Sequence, residues 1–244
     1  MLKIAVGQCA GISGEGVSQS AIAQCRAQLG DAVPQAVLVV AAGEFADLVR
    51  ALIAQRRSEP ADDLISDLAN NAEDLTDDEV VASVVLLLNA GHEASVNVFG
   101  NGLVSLLERG LRPADNVALT VEEMLRFDSA LQLFERTATE PVEVEGVLLE
   151  PGQKIAAMIG SANRDPLVFD RAGEFDVTRD PNPHLAFGVG VHFCLGSQLA
   201  KVMLRELFRE IRTQAPNFTT GEPELVRTNF IRGVLSMPFD PGVA

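Results

Sequence analysis

The sequence is short of cysteine, of basic residues and of long apolar runs, and each shortage removes a class of function. Cys9, Cys25 and Cys194 are its three cysteines, an odd number that fits no disulfide framework and leaves at least one thiol free. The N-terminus, Met1 to Gly7, carries one lysine and an apolar stretch broken at Gly7 and Gln8, too short and weak for a signal peptide. Together these predict a cytoplasmic protein. Nineteen Lys and Arg face 34 Asp and Glu, a formal charge of -15, the wrong sign for a phosphate backbone or an anionic membrane surface. The longest apolar run, Val80 to Leu88, falls well short of the roughly 20 residues of a membrane span, so none is expected.

What is present is the composition of a globular protein, 47% hydrophobic and 22% charged over 244 residues, long enough for one large domain or two small ones. Residues 2 to 6 and 36 to 41 are short β-branched and apolar runs, and Ser18 to Leu29 between them has helical spacing. Residues 1–43 therefore read as a β-α-β segment. Its turn, Gly11-Ile12-Ser13-Gly14-Glu15-Gly16, lacks the Lys-Ser/Thr pair of a phosphate loop and the spacing of a dinucleotide loop, so a plain turn is expected. From Glu44 the pattern turns helical, over about 45–57 and 62–70. Thr76-Asp77-Asp78-Glu79 is a capping box opening a long helix to about Arg109, apolar nearly all round and so expected to be buried. A helix near Val121 to Phe127 follows, then short strands with turns at Glu145-Gly146 and Pro151-Gly152, and a last helix from about Leu195 to Arg212. The fold class is mainly α with a minor β-sheet.

The residues with most chemistry are Phe187-Gly188-Val189-Gly190-Val191-His192-Phe193-Cys194-Leu195-Gly196, directly before an amphipathic helix. Glycines let backbone approach a large flat ligand, backbone amides aimed at sulfur stabilise a thiolate, and a helix N-terminus lowers the thiol pKa further. An isolated cysteine here would be a buried structural one. The whole loop, however, resembles the haem-ligand loop of the cytochrome P-450 family at every motif position. The resemblance implies Cys194 as the axial ligand of haem iron, with Phe187, Gly188, Gly190 and Gly196 shaping the cofactor site.

Two further blocks carry the resemblance in the same order. Glu123-Met124-Leu125-Arg126 is similar to the family's Glu-x-x-Arg helix, and Ala90-Gly91-His92-Glu93 to its oxygen-binding helix. By themselves, Glu123 and Arg126 would often be a solvated helical pair, or Glu123 would cap with Thr120. The resemblance instead implies a buried network of Glu123, Arg126 and Arg179 supporting the haem loop. It also implies propionate contacts from Arg136 and His192, with local hydrogen bonding expected for His184. A zinc site from His184, His192 and Cys194 lacks a fourth ligand at useful spacing.

In the long helix, Glu93 is a carboxylate among apolar residues, which implies a partner, a function or simply a surface position. By resemblance Gly91 leaves room for dioxygen, and Glu93 and Ser95 are catalytic. The sequence departs from the family at Ala94, where a threonine is usual. Ser95 brings a hydroxyl one residue later, but that step turns a helix by roughly 100°, so inefficient oxygen activation or another proton path is expected.

The resemblance covers residues 44–244 and only the later half of a family chain, read as a truncated haem domain after an unrelated segment. It implies a haem-thiolate monooxygenase using haem b, dioxygen, a ferredoxin or flavoprotein reductase as electron donor, and a small hydrophobic organic substrate. Lys201, Arg205 and Arg209 are candidates to face that acidic donor, or form a solvated helix face. The alternative is a non-catalytic haem-binding fragment or interaction module with an exposed apolar helix.

Overall fold

The structure is a computed structural model, and it describes residues 12–13, 16–17, 35–71, 74–112, 116–226 and 230–242. The chain divides into two compact units, Met1–Glu93 and Ala94–Ala244.

In the first unit, β1 (Ile12–Ser13) pairs antiparallel with β2 (Gly16–Val17), with Ser13 opposite Gly16. Both strands fall within the Gly11 to Val17 stretch that invited a phosphate-loop reading. The strand expected over 2–6 and the helix expected over 18–29 lie outside the described residues. Helix α1 spans Gln35–Ser58, so residues 36 to 41 are helical and not a strand. A six-residue apolar run has no periodicity of its own, and here it continues the helix that follows it. The boundary expected at 43/44 therefore falls inside one helix. Helix α2 (Leu64–Asn71) and the first half of α3 (Asp77–Leu107) pack on α1 through Ala46, Val49, Ile53, Val80, Val81, Val84 and Val85. The capping box forms at the start of α3: Glu79 Oε2 accepts from the Thr76 amide at 2.8 Å, and Thr76 Oγ1 accepts from the Glu79 amide at 3.4 Å.

Burial along α3 departs from the expectation of a helix buried throughout. Near its start Val80, Val81, Val84 and Val85 are buried, whereas Leu86, Leu88, Ala90, Gly91, His92 and Val96 are exposed. Among the described residues α3 is one helix long and apolar enough, by length and composition alone, to cross a membrane. The nine-residue run undercounts it because apolar residues resume beyond Asn89. Asn89, His92, Glu93, Asn97 and Asn101 interrupt it with polar groups, and Asn97 and Asn101 are buried.

In the second unit, the end of α3 (Val98, Leu103, Leu106) packs with α4 (Val117–Phe127) and α6 (Ser197–Gln214), whose Leu204 and Phe208 are buried. Asn101 Nδ2 donates to the carbonyls of Asp128 at 3.2 Å and Arg232 at 3.0 Å, tying α3 to the C-terminal segment. Strand β3 (Phe134–Thr137) pairs with β6 (Lys154–Ala157), and β4 (Val142–Val144) with β5 (Val147–Leu149). Glu145 and Gly146 both have positive φ, as a two-residue β4-β5 link requires. After β6 comes the short α5 (Ile159–Ala162) and then a long loop into α6. Beyond α6, β7 (Thr219–Thr220) pairs with β10 (Phe239–Asp240), and β8 (Glu224–Leu225) with β9 (Val234–Ser236). All five pairings are antiparallel and two-stranded, so the class is mainly α with minor β.

Candidate functional site

The cysteine loop is built by its own backbone. Phe187 ends one limb, and its carbonyl accepts the Cys194 amide at 2.9 Å, closing the loop into a ring. Within it, Gly190 to His192 form one 3-10 turn, and the Phe193 amide donates to the Gly190 carbonyl at 3.0 Å. Gly188 (φ 70°) and Gly190 (φ 73°) are in the left-handed region, where a side chain would be strained. Gly196 is different: its φ is -85°, and a Cβ there would meet open space. Cys194 is half-buried and free, and α6 starts three residues later, with the Ser197 amide on the Cys194 carbonyl at 3.2 Å.

Behind the loop, Glu123 and Arg126 are both 0% exposed and pair bidentately, Nε to Oε2 at 2.8 Å and Nη2 to Oε1 at 2.7 Å. Arg126 also donates to the carbonyls of Asn163, Ala172 and Glu174 at 2.8 to 2.9 Å. Glu123 accepts from the Asp176 amide at 2.7 Å and Asn182 Nδ2 at 3.0 Å. Arg179 Nε stands 3.3 Å from Glu123 Oε2, an ion pair without hydrogen-bond alignment, while its Nη1 donates to the Asp170 carbonyl at 2.7 Å. The three residues named from sequence thus meet, and Glu123 does not cap with Thr120. Asn116 is the N-cap of α4, its Oδ1 accepting the Leu119 amide at 3.2 Å, and the Thr120 hydroxyl donates to the Asn116 carbonyl.

Sequence reasoning missed two members. Asn163, fully buried, joins the network to the loop: its Nδ2 donates to Ser129 Oγ at 2.8 Å and its Oδ1 accepts the Leu185 amide at 2.7 Å. A single asparagine in a polar stretch carries no distinguishing signal. Glu122, beside Glu123, collects His184 Nε2 (3.1 Å), Lys201 Nζ (2.8 Å) and Arg205 Nη2 (3.1 Å). Burial pushes its carboxyl up, but hydrogen bonds from His184 and Lys201 outweigh this and hold the pKa at about 2. His184 therefore bonds locally, with its Nδ1 also accepting the Ala186 amide at 3.3 Å. Lys201 and Arg205 are drawn inward rather than presented to solvent, and exposed Arg209 pairs with Glu206. Among the described residues no three His, Cys, Asp or Glu side chains gather as metal ligands.

A sequence profile described as Cytochrome P450 matches residues 117–211, the span from α4 to near the end of α6. Cytochrome P450 126 of Mycobacterium tuberculosis is 43% identical over 196 residues, 75% of this chain and 47% of that protein. The biotin biosynthesis cytochrome P450 of Bacillus subtilis is 37% identical over 72% of this chain and 46% of its own length. Among solved structures, the cytochrome P450 PksS of Bacillus subtilis superimposes with a TM-score of 0.80 at 31% identity, over 99% of this chain and 66% of that one. The chain belongs to the cytochrome P450 family. It spans about half the length of the curated relatives it matches.

The loop fits the haem that cytochromes P450 bind. Around half-buried Cys194, Val189, Val191, Phe193 and Leu195 hold apolar side chains open to solvent, Val191 at 97% and Leu195 at 88% exposure. A flat apolar group is what such a surface would cover. No side chain or backbone occupies the Cβ positions of Gly190 and Gly196. His192 and Arg136 are exposed donors on the loop and on β3, the second bonded to the Glu135 carbonyl at 2.9 Å.

The remaining sequence candidates lie on α3. Gly91 is exposed with nothing within 4 Å of a Cβ. Glu93 is half-buried, and burial pushes its carboxyl up. Both belong to the first unit, while Ala94 and Ser95, half-buried, open the second.

Proposed function

We propose that this chain forms the haem-ligating half of a haem-thiolate monooxygenase, in which Cys194 would hold the haem iron. The observation that carries it is the closed ring from the Phe187 carbonyl to the Cys194 amide, which presents a half-buried free thiol amid exposed apolar side chains. Haem b, when bound, supplies the redox chemistry by which dioxygen and two electrons oxidise an organic substrate. Every other contribution is the chain's own. His192 and Arg136 are the donors for the propionates, with Phe187, Gly188, Gly190 and Gly196 shaping the face against the ring. Glu123, Arg126 and Arg179 keep that face in place and touch no substrate. Glu93, held toward its protonated form by burial, and Ser95 are the groups that hold and pass protons on α3, and Gly91 keeps that helix face clear.

In this reading the protein is cytoplasmic, spans no membrane, takes a small hydrophobic substrate and receives electrons from a ferredoxin or a flavoprotein reductase. Lys201 and Arg205 are drawn in by Glu122, whereas Arg209, paired with Glu206, stays on the exposed surface where that donor would dock. A second reading, a haem-binding module without catalysis, is favoured by Ala94, which puts no hydroxyl at the family's threonine position.

The test is to reconstitute the purified chain with haem and record the ferrous carbon monoxide difference spectrum. A thiolate-type band that vanishes in Cys194→Ser is expected. Soluble protein without that band would sink the proposal. If the band is present, Ala94→Thr should raise product formed per reductant consumed, and no turnover by either form would leave the non-catalytic module.

A further inference from the structure

We propose that Glu122 is a positioning residue for the Cys194 loop, one carboxylate that holds both of its limbs. The proposal rests on the reading of Cys194 as the haem ligand. On the incoming limb, Glu122 Oε2 lies 3.1 Å from His184 Nε2, and His184 Nδ1 accepts the Ala186 amide, one residue before Phe187. On the outgoing limb, Glu122 meets Lys201 Nζ at 2.8 Å and Arg205 Nη2 at 3.1 Å, on the first turns of α6. The limbs meet again at Phe187. Lys201 Nζ sits 5.5 Å from its ring centroid, the His184 ring lies at 6.1 Å, and its carbonyl holds the Cys194 amide.

The cluster differs from an ordinary surface ion pair, worth little because water competes for every partner. The Glu122 side chain is 18% exposed and that of His184 4%. It is also separate from the Glu123 network. Neighbouring helix positions point roughly 100° apart, and Glu123 turns instead to Arg126 and to residues 176–182. Glu123 thus supports the segment leading to the loop, while Glu122 fixes the two ends of the loop against each other. A neutral amide in its place keeps the shape but removes the charge that draws Lys201 and Arg205 inward.

The experiment is amide hydrogen exchange on the full chain without added haem, comparing wild type, Glu122→Gln and, as a control on the same helix face chemistry, Arg209→Gln. Exchange at residues 185–196 should quicken about tenfold in Glu122→Gln, the scale of one lost charge-assisted hydrogen bond, with 117–127 and 204–211 unchanged and Arg209→Gln like wild type. Unchanged protection at 185–196, or an equal loss across α4 and α6, would overturn the assignment. Should Glu122→Gln fail to fold, Lys201→Gln releases the outgoing limb alone and should still quicken Cys194 exchange. If it does not, the assignment is wrong. With haem added, Glu122→Gln should convert part of the thiolate-type carbon monoxide band to a blue-shifted one. Absence of the thiolate band in wild type would refute the ligand reading alone, since exchange is measured without haem.

Discussion

Glu93 and Glu122 are both carboxylates half withdrawn from water, and their surroundings push them in opposite directions. Around Glu93, burial acts alone and raises the pKa. A raised carboxyl favours the fold while it is protonated, and that advantage is lost as pH rises above the unfolded value of about 4.3. Glu93→Gln should therefore stabilise the protein at pH 7, by up to about 1 kcal/mol given its solvent contact, with no gain at pH 4. Urea midpoints at the two values check this, and equal effects at both would exclude an ionisation origin. For Glu122, His184 and Lys201 hold the pKa at about 2, so its contribution is complete above about 4.3 and drains away between there and about 2. Discounted for exposure, about 1–2 kcal/mol of stability should disappear over that window in wild type and not in Glu122→Gln, as read by acid unfolding curves. Cys194, Glu123 and Arg126 were legible because their neighbours in sequence form specific motifs. Glu122 and Asn163 were not, since what distinguishes them is which distant side chains arrive beside them, from 22 to 83 positions away.

At the scale of elements, local capping signals were the most readable. The Thr76 and Glu79 pair formed as the sequence indicated, and Thr76→Ala should cost about 1 kcal/mol in thermal stability, with the loss confined to the first unit if the two units melt separately. Glu145 and Gly146 likewise declared the β4-β5 link. Short apolar runs were the least readable. Residues 36 to 41 suit a strand as well as a buried helix turn, and only continuity with the following helical pattern decides for α1. The burial of α3 was overstated for a related reason. A composition that is apolar all round says that a helix can be covered on every side, not that each turn is covered, and Leu86 to Val96 are largely open.

For the whole molecule, the Glu123–Arg126 pair ties α4 to the long loop after β6. Arg126→Ala would leave Glu123 buried without its bidentate partner, and the expected loss is about 3–5 kcal/mol, measured by urea unfolding. Glu123→Ala should cost a similar amount. The double substitution should cost clearly less than the sum, because each single change strands the other charge. Additive losses would mean that the pair does not act as a unit. The mainly α class and the order of its motifs could be read from the sequence, because periodicity and motif order survive without tertiary knowledge. The division at Glu93 could not, for it falls within one unbroken helix.

The ring closed by the Phe187 carbonyl and the Cys194 amide spans eight residues, yet both of its limbs lean on a helix that lies more than sixty positions earlier in the chain. That separation sets an order of events in time. Left-handed glycines and a single ring-closing hydrogen bond cannot repay the entropy of ordering the loop alone. Helix α4 and its contacts with α6 must be in place first, so the cysteine ring is among the last parts of the chain to become native. During synthesis or refolding the thiol should stay reactive after the helical signal has fully recovered, and alkylation of Cys194 at timed intervals would mark the moment at which the ring closes.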